Sequence, residues 1–110
     1  MRLSGERAFS AVFAEQVRRG SGPLVLYARP NTVGHHRLGL TVPRRVGSAV
    51  RRNRIKRLIR EAFRLQQHEL PGSYDLVVVV RPHPPAALAD YMERLALAQR
   101  GLDEAWRRRG

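Results

Sequence analysis

The sequence predicts an α+β fold: one domain, in which a single sheet is covered by helices. Three observations carry this prediction. Apolar residues recur at helical spacing in three segments, near residues 4–19, 48–64 and 85–106. Three shorter runs, "LVLYAR" at 24–29, "RLGLTV" at 37–42 and "YDLVVVV" at 74–80, are strand-like and bounded by turn residues. The order is helix, strand, strand, helix, strand, helix, and the chain of 110 residues has the length of one domain.

In the first helix, read over residues 4 to 19, Ser4 is the expected N-cap, Glu6 sits in the first turn, and Phe9, Val12, Phe13 and Val17 share one face. "GSGP" at 20–23 is a turn. The seven residues "PNTVGHH" between the first two strands suit an antiparallel hairpin with a long loop. Pro43 lacks a backbone donor and should end the second strand, and Gly47-Ser48 supplies a turn and an N-cap for the next helix. Ile55, Leu58, Ile59, Ala62 and Phe63 fall on one arc of that helix, with Arg51 and Arg52 near its edges. "HELPGSYD" at 68–75 ends it. The unbroken apolar run that follows suggests a central strand buried on both faces. In the last helix Pro85 lies near the start, Leu88, Tyr91, Met92, Leu95, Leu102 and Trp106 form the apolar face, and Gly101 interrupts it.

Composition narrows the function. A formal net charge of +12 calls for an anionic partner, nucleic acid first and an acidic membrane surface second. Lys56 is the sole lysine among 21 basic residues, and guanidinium forks grip phosphate bidentately. There is no cysteine, which excludes disulfides and thiolate metal sites and permits an intracellular compartment. The longest strictly apolar run, residues 76–80, is far too short to span a bilayer, which takes roughly 20 residues.

The stretch "RRVGSAVRRNRIKRLIREAF", residues 44–63, concentrates the charge. A charged helix face is ordinarily a solvated face, yet such faces mix signs, and here Glu61 stands alone among cations. Arg51, Arg52 and Arg54 crowd the helix N-terminus, where the dipole disfavours each positive charge by roughly 0.3–1 kcal/mol. Asn53 adds an amide that can read a base edge or a sugar hydroxyl. Together these features favour a phosphate-binding surface over a merely solvated face.

The run "RLGLTVPRRVGSAVRRNRIKRLIREAF", residues 37–63, closely resembles the signature of the protein component of bacterial ribonuclease P, with Arg52-Asn53-Arg54 as its hallmark. "AFSAVF", "LVLYA" and "YDLVVVVR" resemble that family's first helix, early strand and late strand, so the likeness covers most of the chain. It implies an αβββαβα sandwich over residues 1–110, with a further short strand near Val17 to Ser21 and a left-handed βαβ crossover carrying the basic helix. It also implies a cytoplasmic, non-membrane protein that binds a catalytic RNA and the 5′ leader of precursor tRNA. Leader removal would be chemistry of that RNA and its Mg²⁺, with no catalytic or metal-ligating residue on the protein. By position, Arg44, Arg45, Arg51, Arg52, Asn53, Arg54, Lys56, Arg57, Arg60 and Arg64 would meet RNA, and Phe9, Phe13 and Tyr27 would line the leader cleft. For Phe13 a core role is the stronger alternative from spacing alone. Pro43 and Ser48 depart from the small hydroxyl residue and the asparagine common in relatives.

Two rivals have their own residues. An autonomous nuclease could draw on His35, His36, His68, His83, Asp75 and Asp90, although these form no recognised spacing. A ribosomal or general RNA-binding protein would share the basic helix but has no need of an aromatic cleft.

Overall fold

The computed structural model describes residues 2–109. Its elements are α1 (Glu6–Ala14), β1 (Arg18–Ser21), β2 (Leu24–Pro30), β3 (Arg37–Thr41), a 3-10 turn (Arg44–Val46), α2 (Ala49–Gln66), β4 (Tyr74–Val80) and α3 (Leu88–Arg109). The sheet order is β1-β2-β4-β3, with β3 parallel to β4 and the other neighbours antiparallel.

β4 is interior, as its apolar run predicts, and alternates between two cores. Leu76, Val78 and Val80 meet α2 and α3 in the larger core, while Val77 meets Val12 of α1 on the other face. The arc predicted for α2 is the one it buries: Ile55, Ile59, Ala62 and Phe63 are in the core, and Leu58 packs partly against it. Ser48 caps this helix, accepting from the Arg51 amide at 3.2 Å. β3, α2 and β4 form the crossover between parallel neighbours that the family resemblance implies; its left hand rests on that resemblance.

Three expectations need correction. β2 and β3 are not a hairpin, because β4 lies between them. Only an interior position pairs both edges of β4, and the loop after β2 arches over its start. That loop is tied down there: Asn31 N–H donates to Ser73 O at 3.1 Å, and the Ser73 hydroxyl donates to Asn31 Oδ1 at 2.7 Å. α1 is shorter than predicted and Ser4 does not cap it. Leu3 N–H is held on Leu38 O at 2.9 Å, so the chain must turn sharply into the helix, and it does so at Gly5 with φ of 92°. At the other end, residues 18–21 leave the helical pattern and pair with residues 24–27. Arg18 and Arg19 carry no apolar alternation, so only the β2 edge makes this segment a strand. Gly101, inside α3, has a local reason: a Cβ there would lie 3.2 Å from Cγ of Arg19, whose stem crosses it.

Candidate nucleic-acid interface

The basic helix places its charge as the wheel requires. Asn53, Arg57, Arg60 and Arg64 recur at i, i+4, i+7 and i+11, one stripe opposite the buried arc. Asn53, Arg57 and Arg64 are exposed and Arg60 is half-buried; Arg54, exposed, and Lys56, half-buried, flank the stripe. Arg44 and Arg45 stand exposed on the preceding 3-10 turn. Burial, and then the charge of nearby Arg2, push the Arg60 guanidinium below its ordinary value. Arg64 is the partly neutralised member, since its Nε donates to Glu61 Oε1 at 2.7 Å.

Arg51 and Arg52 differ from the rest of the set. Arg51 donates from Nη2 to His83 O and from Nε to Val46 O at 3.4 Å, so its fork clamps the start of α2 to the loop before α3. Its stem lies against Gly47, where a Cβ would stand 2.6 Å from Arg51 Cδ. Arg52 Nε donates to Gly47 O at 3.2 Å and remains half-exposed. We expect Arg51→Ala to lower the thermal midpoint and weaken RNA binding while leaving the salt dependence of that binding almost unchanged. Arg57→Ala should instead lower the salt slope by roughly 0.7–0.9, the value for one neutralised phosphate. Equal slopes in a salt titration of the two variants would contradict this distinction.

The three aromatic residues lie on the opposite face of the sheet, around α1. Phe13 and Tyr27 meet edge to face at 4.8 Å and, with Gln16 and Arg18, line an open cavity of about 450 Å³. Arg18 Nη1 donates to the Tyr27 hydroxyl at 3.3 Å, adding a cation to the aromatic wall. Phe13 is half-buried: it packs against the small core under α1 and also lines the cavity, so the fold accommodates both readings of this residue. Phe9, also half-buried, sits beyond this cavity with its ring tip against Gly39 of β3. The structure thus brings Phe13 and Tyr27 together and sets Phe9 beside them in the same apolar cluster. Arg18 was missed from sequence; its register opposite Tyr27 depends on the pairing of β1.

Most of the groups available to an autonomous nuclease are engaged within the fold. His36 is buried. Tyr74 N–H donates to its Nδ1 at 3.1 Å, so the ring proton is on Nε2, 3.1 Å from Leu70 O. Asp75 accepts from Arg37 through both oxygens, at 2.7 and 2.8 Å, and from Asn31 Nδ2 at 2.9 Å. Burial pushes the Asp75 carboxyl up, but the hydrogen bonds from Arg37 and Asn31 and the charges of Arg37 and Arg29 outweigh it, leaving the net value below the usual one. His83 bridges Arg81 O and the Tyr91 hydroxyl, each at 2.7 Å. Asp90 accepts from Ala87 N–H at 2.9 Å, at the start of α3. His35 Nδ1 lies 3.1 Å from His36 O, and His68 is exposed on the turn after α2. Among the described residues no group of three or more His, Asp or Glu is placed to hold a metal ion. Nor is any helix among them long and apolar enough to cross a membrane.

Known proteins share this sequence pattern and fold along nearly the whole chain. The family model described as ribonuclease P matches residues 1–106. The ribonuclease P protein component of Escherichia coli (strain K12 / DH10B) is 43% identical over 109 residues, covering 98% of this chain and 86% of the relative. The ribonuclease P protein of Thermotoga maritima, solved with 1-(4-fluorophenyl)-2-thiourea, superposes with a TM-score of 0.78 at 32% identity, over 90% of this chain and 98% of that one. The protein from Staphylococcus aureus superposes with a TM-score of 0.73 at 27% identity, over 94% of both chains. A basic helix on one face of the sheet, an aromatic groove on the other and a family match along nearly the whole chain have one common account: this chain belongs to the ribonuclease P protein family.

Proposed function

We propose that this chain is the RNA-binding subunit of a cytoplasmic ribonuclease P ribonucleoprotein, which removes the 5′ leader of precursor tRNA. The α2 stripe binds the catalytic RNA, and the groove beside α1 receives the single-stranded leader. One observation carries this reading: the two RNA-competent surfaces are segregated on opposite faces of one sheet, the cationic helix over the larger core and the aromatic cavity over the smaller. A general RNA binder needs only the first. With both, one small domain can hold an RNA enzyme and its substrate together.

The two surfaces suit different tasks. Arginines along a helix exchange condensed counterions for contacts with phosphate, which gives affinity without sequence preference. Aromatic faces in a basic groove stack unpaired bases at roughly 1–3 kcal/mol each and accept any leader sequence. Asn53, among the arginines, supplies a polar fork for a base edge or a 2′-hydroxyl. Hydrolysis falls to the RNA and its Mg²⁺, while the protein adds binding energy and positive potential that lower the demand for free cation.

The test is reconstitution. Added to a bacterial ribonuclease P RNA at low Mg²⁺, the protein should restore leader removal, and alone it should leave precursor tRNA intact. Cleavage by the protein alone, abolished in Asp75→Asn or His36→Gln, would overturn the proposal.

A further inference from the structure

Gly39 lies in the middle of β3, paired with Val77, and neither a turn nor a left-handed conformation requires glycine there. What it provides is room. A Cβ built at Gly39 would stand 2.5 Å from Cζ, 2.8 Å from Cε1 and 3.2 Å from Cε2 of Phe9, so the tip of that ring occupies the space any other residue would fill. Phe9 belongs to α1, which carries Phe13 one turn further on, and Phe13 forms one wall of the cavity whose other wall is Tyr27. The rest of the apolar interface under α1 is small, with Val12, Leu3 and Val77 its buried members. Nine residues of helix on so small an interface take their position from the side chains that interlock.

We propose that Gly39 is a positioning residue for the substrate groove: a notch in β3 that receives the Phe9 ring tip, seats α1 on the sheet and thereby sets the gap between Phe13 and Tyr27. The inference rests on the reading of that groove as the leader site. A methyl group at position 39 displaces an aromatic ring from a half-buried seat. The ring can yield only by lifting α1 or by rotating into the groove, and either movement changes the Phe13–Tyr27 wall. The sheet beneath need not move, because the Leu38 and Leu40 side chains point into the other core.

The experiment uses the reconstituted holoenzyme and reads the ratio of affinities for leader-bearing precursor tRNA and mature tRNA. Tyr27→Ala tests the groove itself; an unchanged ratio there would remove the leader reading irrespective of Gly39. With that ratio lowered, Gly39→Ala should lower it too, by about fivefold or more, the equivalent of one base stack, with affinity for mature tRNA retained. Phe9→Leu, which shortens the side chain facing the new methyl, is measured alone and together with Gly39→Ala, and in its background Gly39→Ala should cost less of the ratio than in the unaltered protein. A ratio in Gly39→Ala equal to that of the unaltered protein would overturn the positioning role, as would a Gly39→Ala loss as large in the Phe9→Leu background as without it. Thermal melting of each variant accompanies the measurement. A midpoint that Gly39→Ala lowers less in the Phe9→Leu background is the expected companion of that smaller loss.

Discussion

Replacing Arg54, Arg57 and Arg60 together with Ala is expected to weaken association with ribonuclease P RNA on the order of 10²- to 10³-fold, because hydrogen bonds to charged groups contribute about 1.5–3 kcal/mol each and are not fully additive. The plot of log affinity against log salt should flatten by about 2 to 3 units, or 0.7–0.9 for each phosphate left without its arginine. The three side chains lie outside the core that Ile55, Ile59, Ala62 and Phe63 build, so the thermal midpoint should hold or rise slightly as like charges are removed. Weaker affinity with unchanged folding distinguishes an interface from a scaffold. A titration across a salt series showing unaltered affinity and slope would exclude this helix face from the RNA interface.

The second large effect is expected at Asp75, and it should appear in stability. Asp75→Ala removes a buried carboxylate that receives both arms of Arg37 and the Asn31 amide, joining the start of β3, the β2–β3 loop and β4. Loss of one partner from a buried ion pair costs about 3–5 kcal/mol. Here the Arg37 side chain is 35% exposed and can turn to water, which brings the expectation down to roughly 2–3 kcal/mol. The thermal midpoint should fall by roughly 10 °C or more. The sign of the pH dependence follows from the lowered Asp75 value. Its contribution is fully present above the ordinary carboxyl value of 3.8 and is lost as pH falls through the lower value in the folded protein. The stability gap between the unaltered protein and Asp75→Ala should therefore be constant from neutral pH down to the ordinary carboxyl range and narrow below it. Holoenzyme cleavage, measured where both variants are folded, should be retained; its specific loss would make Asp75 a reacting group after all.

Asp75 also illustrates the limit of reading function from a sequence. As a letter it is a candidate acid, because the partners that neutralise it come from Asn31 and Arg37, far away in the chain. His36 has the same history: its tautomer is set by Tyr74 N–H and Leu70 O, neither of them a neighbour in sequence. Arg51 and Arg57 are identical in composition and stand six positions apart, yet one clamps backbone carbonyls and the other faces solvent. A helical wheel places Arg51 near the apolar arc but cannot say that a loop carbonyl waits there.

The elements themselves were legible where a local period ran long enough. α2, its Ser48 cap and its buried arc followed from spacing and capping chemistry, which act within a few residues. The interior place of β4 followed from seven residues without a polar interruption beyond Asp75. β1 followed only from the family resemblance and not from local pattern, and the pairing of β2 did not follow at all, since strand partners are chosen by long-range hydrogen bonds and by which edges remain free. The shortening of α1 belongs with them, because the pull of β2 on residues 18–21 outweighs a helical pattern that continues past Ala14.

By itself, then, the sequence determined the charge, the amphipathic basic helix and the ordered motif that identifies the family, because each is written in residues close together in the chain. The tertiary structure alone decided that the cationic and aromatic surfaces occupy opposite faces of one sheet, that His36 and Asp75 are structural, and that Gly39 makes room for Phe9. Those outcomes depend on which side chains meet across the sheet, and close packing selects these partners only when the whole chain has folded.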